Sequence, residues 1–102
     1  GINEIQYAAL LMMIARHTGY KPGVFSHFVA NEQIYDRHMD AANEMLSRQL
    51  LIERDEYFDG CKKNPMLIIN PNKTNFYDFT IDDFTMEDYN PLKPQLKLEL
   101  GI

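Results

Sequence analysis

Few side chains in this sequence have the types and spacing that chemistry requires. The three histidines, His17, His27 and His38, lack metal-ligand spacing with one another or with the single cysteine, Cys61. No residue near Cys61 in the sequence could serve as its base, so we expect a bystander thiol rather than a nucleophile. These residues predict no metal site.

The acidic residues near the carboxyl end also lack a recognisable ligand pattern. Asp78, Asp82, Asp83 and Glu87 do not have the spacing of a calcium loop, and we predict that they form a solvated face. The sequence contains no glycine-rich phosphate loop either. Generic motifs of catalysis therefore leave the function open.

Composition limits the class of protein. The chain has 102 residues, enough for one domain, and a formal net charge of -5, which argues against a large nucleic-acid surface. One cysteine excludes a disulfide framework within the chain and predicts a reducing, cytoplasmic setting. The longest apolar run, residues 7–15, is too short to cross a membrane, and we see no signal peptide.

The first element predicted is a helix over residues 3–18. Asn3 is a suitable N-cap, because its side-chain oxygen can accept a backbone N–H of the first turn. Gly19 can end the helix in a left-handed conformation. The nine consecutive apolar residues of its middle part leave no polar face, so the pattern predicts a helix buried on all sides.

A strand and a second helix follow. Residues 24–30 are rich in β-branched and aromatic types, which predicts a strand that continues toward Tyr35. Asp36 is a suitable N-cap for a helix over residues 37–50, with Glu44 and Arg48 as a surface pair. The residues predicted to form the apolar face of this helix are Met39, Ala42, Leu46 and Leu50.

The remaining half alternates between irregular segments and short elements. Residues from about 50–64 have mixed charge and no period, and we interpret them as a surface insertion. We predict strands over residues 66–69 and 79–89, with one helical turn at 75–78 between them. Residues 95–100 alternate strictly, which fits either a last strand or an ordered extension.

Nine short motifs follow one another along the whole chain. They are Asn3, Tyr7–Ala15, Pro22–Phe25, Gln33–His38, Leu46–Arg48, Pro65–Ile69, Phe76–Asp78, Asp83–Phe84 and Tyr89–Pro91. In this order, and apart from the insertion, they resemble the thymidylate synthase family. The resemblance places the chain in the carboxyl-terminal part of such an enzyme. It implies an α+β fold in which a buried helix and an amphipathic helix pack on a mixed β-sheet.

The resemblance also implies a reaction, its partners and a missing part. Family members are methyltransferases that methylate deoxyuridylate (dUMP) to dTMP, with 5,10-methylenetetrahydrofolate as cosubstrate. Their catalytic Pro-Cys-His block lies upstream of the matched region, so we expect no catalytic residue in this chain and no activity from it alone. The implied partners are dUMP, folate, the missing amino-terminal part and a second subunit in a homodimer, without nucleic acid or membrane.

Three parts of the chain match substrate-binding positions of the family. Asn3 corresponds to the asparagine that contacts the uracil edge, and Tyr35 to the tyrosine that donates to the sugar 3′-hydroxyl. Gln33 stands where the family usually has a histidine that bonds the same hydroxyl. The residues that match the tail closing over folate and nucleotide are Leu100, Gly101 and Ile102.

Two other functions fit parts of the pattern. A pyrimidine nucleotide hydroxymethylase is related, but Asn3 favours uracil over cytosine, for which an aspartate would be the better partner. A non-catalytic binding or oligomerisation module with the same fold would explain the missing cysteine block and Gln33. The sequence preceding Gly1 would distinguish these readings, because a Pro-Cys-His block there indicates a synthase.

Overall fold

The computed structural model describes residues 2–54 and 63–100. The chain divides into two compact units, residues 1–29 with 66–87 (unit 1) and residues 30–65 with 88–102 (unit 2). The regular elements are α1 (Ile2–Thr18), α2 (Met39–Glu53), β1 (Met66–Ile69) and β2 (Phe84–Glu87). Helices with a small sheet confirm the expected α+β class. Most of the predicted insertion, residues 55–62, lies outside the described residues.

The ends of α1 show one correct and one wrong expectation. The helix already contains Ile2, so Asn3 lies in its first turn and is not the N-cap. At the other end Gly19 has a φ of 79°, as predicted for a left-handed cap. The Tyr20 N–H donates to the Ala15 carbonyl at 2.9 Å and the Gly19 N–H to that of Arg16 at 3.4 Å. These two bonds satisfy carbonyls that the helix end would leave unpaired.

The prediction that α1 is buried on all sides is wrong for the described chain. Among its residues, all of which are described, Ala15 alone is buried, with 6% of its surface exposed. Ile2, Ile5 and Tyr7 are more than half exposed. The reason is geometric, since the described residues of unit 1 offer one short hairpin and its connecting loop. That structure covers one side of a helix that is apolar all round.

The sheet is a hairpin of two antiparallel strands. β1 pairs with β2 so that Met66 lies opposite Glu87 and Ile69 opposite Phe84. Ile69 is buried, with 4% exposed, and belongs to the small core of unit 1. The mixed sheet that we expected is therefore antiparallel in the part of the chain that the structure describes.

The loop between the strands contains two short helical turns. The predicted turn is present at Phe76–Asp78, where the Asn75 side chain accepts the Tyr77 N–H. The strand predicted over residues 79–89 is shorter than expected, because Ile81–Asp83 forms a second 3-10 turn before β2. The Asp83 carboxylate accepts the Thr80 N–H at 2.7 Å and stabilises this turn, and β2 begins at the next residue.

The strand predicted over residues 24–30 is absent. Residues 20–35, all described, have no regular secondary structure, and Val24 and Phe28 are 92% and 88% exposed. β-branched and aromatic residues fit a strand only where a neighbour accepts its backbone hydrogen bonds. Within the described residues the only sheet is the β1–β2 hairpin, which does not include this segment.

Unit 2 is built around α2. A 3-10 turn at Asp36–His38 leads into the helix, with Tyr35 and His38 at the respective cap positions, so the N-cap prediction for Asp36 is wrong. The predicted pair is confirmed, because Arg48 Nε lies 2.8 Å from Glu44 Oε1. Of the predicted apolar face only Ala42 is half-buried, since Met39, Leu46 and Leu50 are 46%, 66% and 49% exposed. The half-buried positions are Ala41, Ala42, Arg48, Leu51 and Ile52.

The carboxyl-terminal segment is an ordered extension rather than a strand. Residues 88–100 lack helix and strand throughout. Arg48 Nη1 donates to the Pro94 carbonyl at 2.9 Å and to the Leu92 carbonyl at 3.4 Å, which ties this segment to α2. Neither helix in the described residues is long and apolar enough to cross a membrane.

Candidate functional site

Tyr35 stands at the start of the helical turn that leads into α2. Its backbone is extended, with φ −70° and ψ 147°, and its carbonyl accepts the His38 N–H at 2.8 Å. The Tyr35 and His38 rings lie with their centroids 5.6 Å apart and their planes at 45°. The tyrosine side of this pair is half exposed. The turn therefore presents an aromatic residue with a hydroxyl at the surface of unit 2.

The carboxyl-terminal tail lies against the same turn. His38 Nε2 is 2.7 Å from the Glu99 carbonyl oxygen, and because a carbonyl only accepts, this nitrogen carries the proton. Arg37 Nη1 donates to the Leu100 carbonyl at 3.3 Å. The structure thus brings the tail next to Tyr35 within one compact unit. Gly101 and Ile102 lie outside the described residues.

Sequence reasoning missed the role of Arg37 and His38. In the sequence both residues belong to the Gln33–His38 motif, but no pattern there predicts that either holds the tail. Their spacing from Tyr35 was available as a signal, since all three fall in the Gln33–His38 motif. Their acceptors are main-chain carbonyls, which every residue carries, so nothing in the tail sequence could reveal the contact.

The other predicted binding residues are accessible but lie apart along the chain. Gln33 is exposed and lies two residues before Tyr35 in an irregular segment of unit 2. Asn3 is exposed in the first turn of α1, in unit 1. The joining of Asn3 with Gln33 and Tyr35 in one nucleotide site therefore stays a prediction.

One member of the predicted acidic face is buried. The Asp83 side chain is 6% exposed and ion-pairs with Lys73, whose Nζ lies 2.8 Å from Oδ2. The Thr80 N–H donates to the same oxygen at 2.7 Å, and Asn70 Nδ2 donates to Oδ1 at 3.0 Å. These donors, of which Lys73 has the largest effect, hold the pKa of the Asp83 carboxyl far below its usual range. Asp78, Asp82 and Glu87 are exposed, as predicted.

The same loop is bonded to the end of α1. Arg16 Nη1 donates to the Asn70 carbonyl at 2.8 Å and to the Lys73 carbonyl at 3.1 Å. His17 Nδ1 accepts the Phe76 N–H at 2.9 Å, which requires that this nitrogen carry no proton. Since these charged and polar groups bond to one another, we assign the cluster a structural role.

Two further kinds of site concern the described residues, a metal cluster and an open cleft. Within residues 2–54 and 63–100, no group of three or more His, Cys, Asp or Glu side chains could hold a metal ion. Unit 1 has an open cleft of about 350 Å³ that contains none of the predicted binding residues. Its lining residues are Met12, Ala15, Arg16, Gly19, Tyr20, Pro22, Ile69 and Thr74.

These features define an α+β protein whose motif at 33–38 holds its own carboxyl-terminal tail, and comparison with known proteins gives its family. The chain belongs to the thymidylate synthase family, whose family model, described as "Thymidylate synthase", matches residues 1–102. It is 47% identical to a thymidylate synthase of Streptococcus mutans over 102 residues, covering 99% of this chain and 33% of that protein.

Other streptococcal relatives agree. Identity is 45% to thymidylate synthases of Streptococcus pyogenes serotype M3 and Streptococcus thermophilus, of which the chain covers 33% and 32%. The chain thus spans about a third of the length of these curated relatives, in agreement with the expected carboxyl-terminal placement. No solved structure matches the chain.

Proposed function

We propose that this chain is the carboxyl-terminal portion of a thymidylate synthase. The complete enzyme methylates dUMP to dTMP in the cytoplasm, with 5,10-methylenetetrahydrofolate as carbon donor and reductant. This portion supplies contacts to the base edge and the deoxyribose, and the tail that closes the site. The observation that carries the proposal is the contact between the tail main chain and the turn after Tyr35. It joins two of the three predicted binding parts in one unit.

Each binding residue has a role that its chemistry can fulfil. The Asn3 amide can donate to uracil O4 and accept the N3–H, a pair of bonds that cytosine cannot make. The Tyr35 hydroxyl donates to the sugar 3′-hydroxyl, and Gln33 keeps both a donor and an acceptor for the same group. Leu100 is 79% exposed at the end of the described tail, where an apolar side chain can close over a ligand and exclude water.

The nucleophile has to come from outside these residues. The single cysteine lies in Gly60-Cys61-Lys62-Lys63, which does not match Pro-Cys-His. We therefore propose that the amino-terminal two thirds of the enzyme supply the reactive cysteine and that the present chain is inactive alone. The exposed apolar residues of unit 1, Ile2, Ile5, Val24 and Phe28 among them, support burial against that part and against a second subunit.

A chimeric enzyme tests this proposal. Residues 1–102 replace the matching third of the Streptococcus mutans enzyme, which keeps its own amino-terminal two thirds. The chimera should release tritium from 5-tritiated dUMP and form dTMP only when methylenetetrahydrofolate is present. The present chain alone should do neither, because it has no activated nucleophile. Tritium release by the chain alone that Cys61→Ser abolishes would contradict the assignment.

Gln33 favours a second candidate, a non-catalytic module with the same fold. Glutamine has more rotamers to freeze than the usual histidine, and this weakens a sugar contact. A folded chimera that binds dUMP but forms no product would support the module. A chimera that hydroxymethylates dCMP in preference to dUMP would instead support the related hydroxymethylases and would contradict the role given to Asn3.

A further inference from the structure

Two consecutive side chains bind two consecutive carbonyls at the end of the chain. His38 Nε2 bonds the Glu99 carbonyl at 2.7 Å, and Arg37 Nη1 donates to the Leu100 carbonyl at 3.3 Å. We define this set of two side chains and two carbonyls as the latch. The His38 bond of 2.7 Å is short for nitrogen and oxygen, whereas the Arg37 bond of 3.3 Å is long but has a charged donor.

The latch is built on a constrained part of unit 2. The His38 imidazole is half-buried and lies beside the Tyr35 ring, with centroids 5.6 Å apart, so its movement is restricted. The Tyr35 carbonyl accepts the His38 N–H, which fixes the turn that carries both rings. The His38 donor is therefore already ordered without the tail. The entropic cost of forming the bonds comes mainly from ordering the tail.

The same segment has a second attachment point. Arg48, whose side chain is 13% exposed, donates to the Pro94 carbonyl at 2.9 Å. The irregular segment is thus bound at residues 92–94 by one helix residue and at residues 99–100 by the latch. The described part of the tail therefore ends next to the turn that carries Tyr35.

We propose that Arg37 and His38 are positioning residues, which set where the tail starts when it closes over the nucleotide site. This rests on the proposed function for its catalytic consequence but not for the latch itself. Both bonds go to main-chain carbonyls, so the latch fixes the position of the tail backbone and does not depend on the side chains of the tail. Loss of the latch should leave dUMP binding intact and reduce the fraction of complexes in which the tail closes.

Trimming by a carboxypeptidase measures the latch without any activity. In the chimera, digestion followed by mass spectrometry should slow once it reaches Leu100 and Glu99. In His38→Phe, which keeps an aromatic ring but loses the donor, trimming should continue toward Pro94. The rate past Glu99 should rise about tenfold, the factor for a bond worth about 1.4 kcal/mol. Hydrogen exchange is unsuited here, because the tail contributes carbonyls to the latch and not N–H groups.

Three further variants make the result specific. His38→Gln keeps an N–H donor, so digestion should again slow at Leu100 and Glu99. Arg37→Met should also speed trimming. Because Arg37 is exposed, this variant can replace His38→Phe in the test if the latter lowers the melting temperature. Arg54→Met, an exposed arginine of the same unit, is the matched control and should trim like the parent. Equal trimming of all four variants and the parent would overturn the latch.

Kinetics separate the latch from the proposed function. In an active chimera, His38→Phe should lower kcat about tenfold while the dissociation constant for dUMP changes less than about twofold. If the chimera is inactive but its trimming still depends on His38, the latch is supported and the proposed function is refuted. An active chimera whose trimming ignores every variant keeps the function and refutes the latch. A loss of dUMP affinity equal to the loss of kcat would show that His38 acts on the nucleotide and not on the tail.

Discussion

Replacing Arg16 by methionine should destabilise the protein by removing two of the hydrogen bonds between α1 and the loop between the strands. Methionine keeps much of the length of the side chain and its apolar contacts but provides no donor. Arg16 Nη1 now bonds the carbonyls of Asn70 at 2.8 Å and Lys73 at 3.1 Å, both in a part-buried setting. Together with the bond from the Phe76 N–H to His17 Nδ1, they tie the end of the first helix to the hairpin of unit 1.

The size of the effect follows from the two acceptors. A hydrogen bond to a charged group contributes about 1.5–3 kcal/mol. The Asn70 carbonyl also accepts the Lys73 N–H at 3.3 Å, so it keeps one partner, and the lower figure applies to it. Using that figure for both bonds, the loss is about 3 kcal/mol, against a total stability of about 5–15 kcal/mol for an ordinary domain. For a protein of about 150–250 residues such a loss lowers the melting temperature by about 6–12 °C, so the longer chimera should show a shift at the lower end of this range or below it.

Thermal melting of the chimera by circular dichroism measures this loss. Lys21→Met is the matched control, because it removes an exposed cation close to the end of α1 and should change the melting temperature little. Arg16→Lys should be intermediate, since an ammonium keeps the charge but loses the planar fork of donors. If Arg16→Met melted within about 2 °C of Lys21→Met, the two bonds would contribute far less than about 3 kcal/mol to stability.

Substitutions at four other residues of the chimera give further tests. Asn3→Asp should raise kcat/KM for dCMP relative to dUMP; an unchanged ratio would leave Asn3 without a role in base choice. Tyr35→Phe should raise KM for dUMP about 2- to 12-fold, from the loss of about 0.5–1.5 kcal/mol, and an unchanged KM would exclude the sugar contact. Asp83 has a lowered pKa, so its stabilisation is complete above the unfolded value of about 3.9 and is lost as pH falls below it. The melting temperatures of parent and Asp83→Asn should therefore converge below pH 4, and a constant gap would contradict this. Gly19→Ala should cost about 1 kcal/mol at its positive φ and Gly19→Asn less, with thermal melting as the measure; equal melting of parent and alanine variant would argue against the left-handed cap.

Local chemistry accounts for what the sequence predicted correctly. A continuous apolar run predicted the first helix and apolar spacing the second, and a glycine at the end of the first was sufficient to predict its left-handed cap at Gly19. The turn after Asn75 and the pair between Glu44 and Arg48 were also predictable, because each involves residues within one helical turn. The motif order gave the family for the same reason, since it needs only the order of residues along the chain.

Burial and strand formation depend on residues that are distant in sequence, and here prediction failed. The strand over 24–30 had suitable residue types but no described neighbour to pair with. The apolar face of α2 was predicted from spacing, yet apart from Ala42 the half-buried residues of this helix lie outside that face and include Arg48. Asp83 was placed among exposed acids, because its partners Lys73 and Asn70 belong to the other side of the loop.

The connections that organise both units share one chemical form, a side chain that bonds a main-chain carbonyl far along the sequence. Arg16 does this for the loop in unit 1, and Arg37, His38 and Arg48 do it for the tail in unit 2. In each case the donor is a recognisable residue, but the acceptor is a group that every residue carries. Such contacts constrain the donor position and leave the acceptor residue free to vary. The tail can therefore change its side chains to suit a ligand while its path along α2 is preserved, and the donors at 37, 38 and 48 are the positions where a substitution should alter that path.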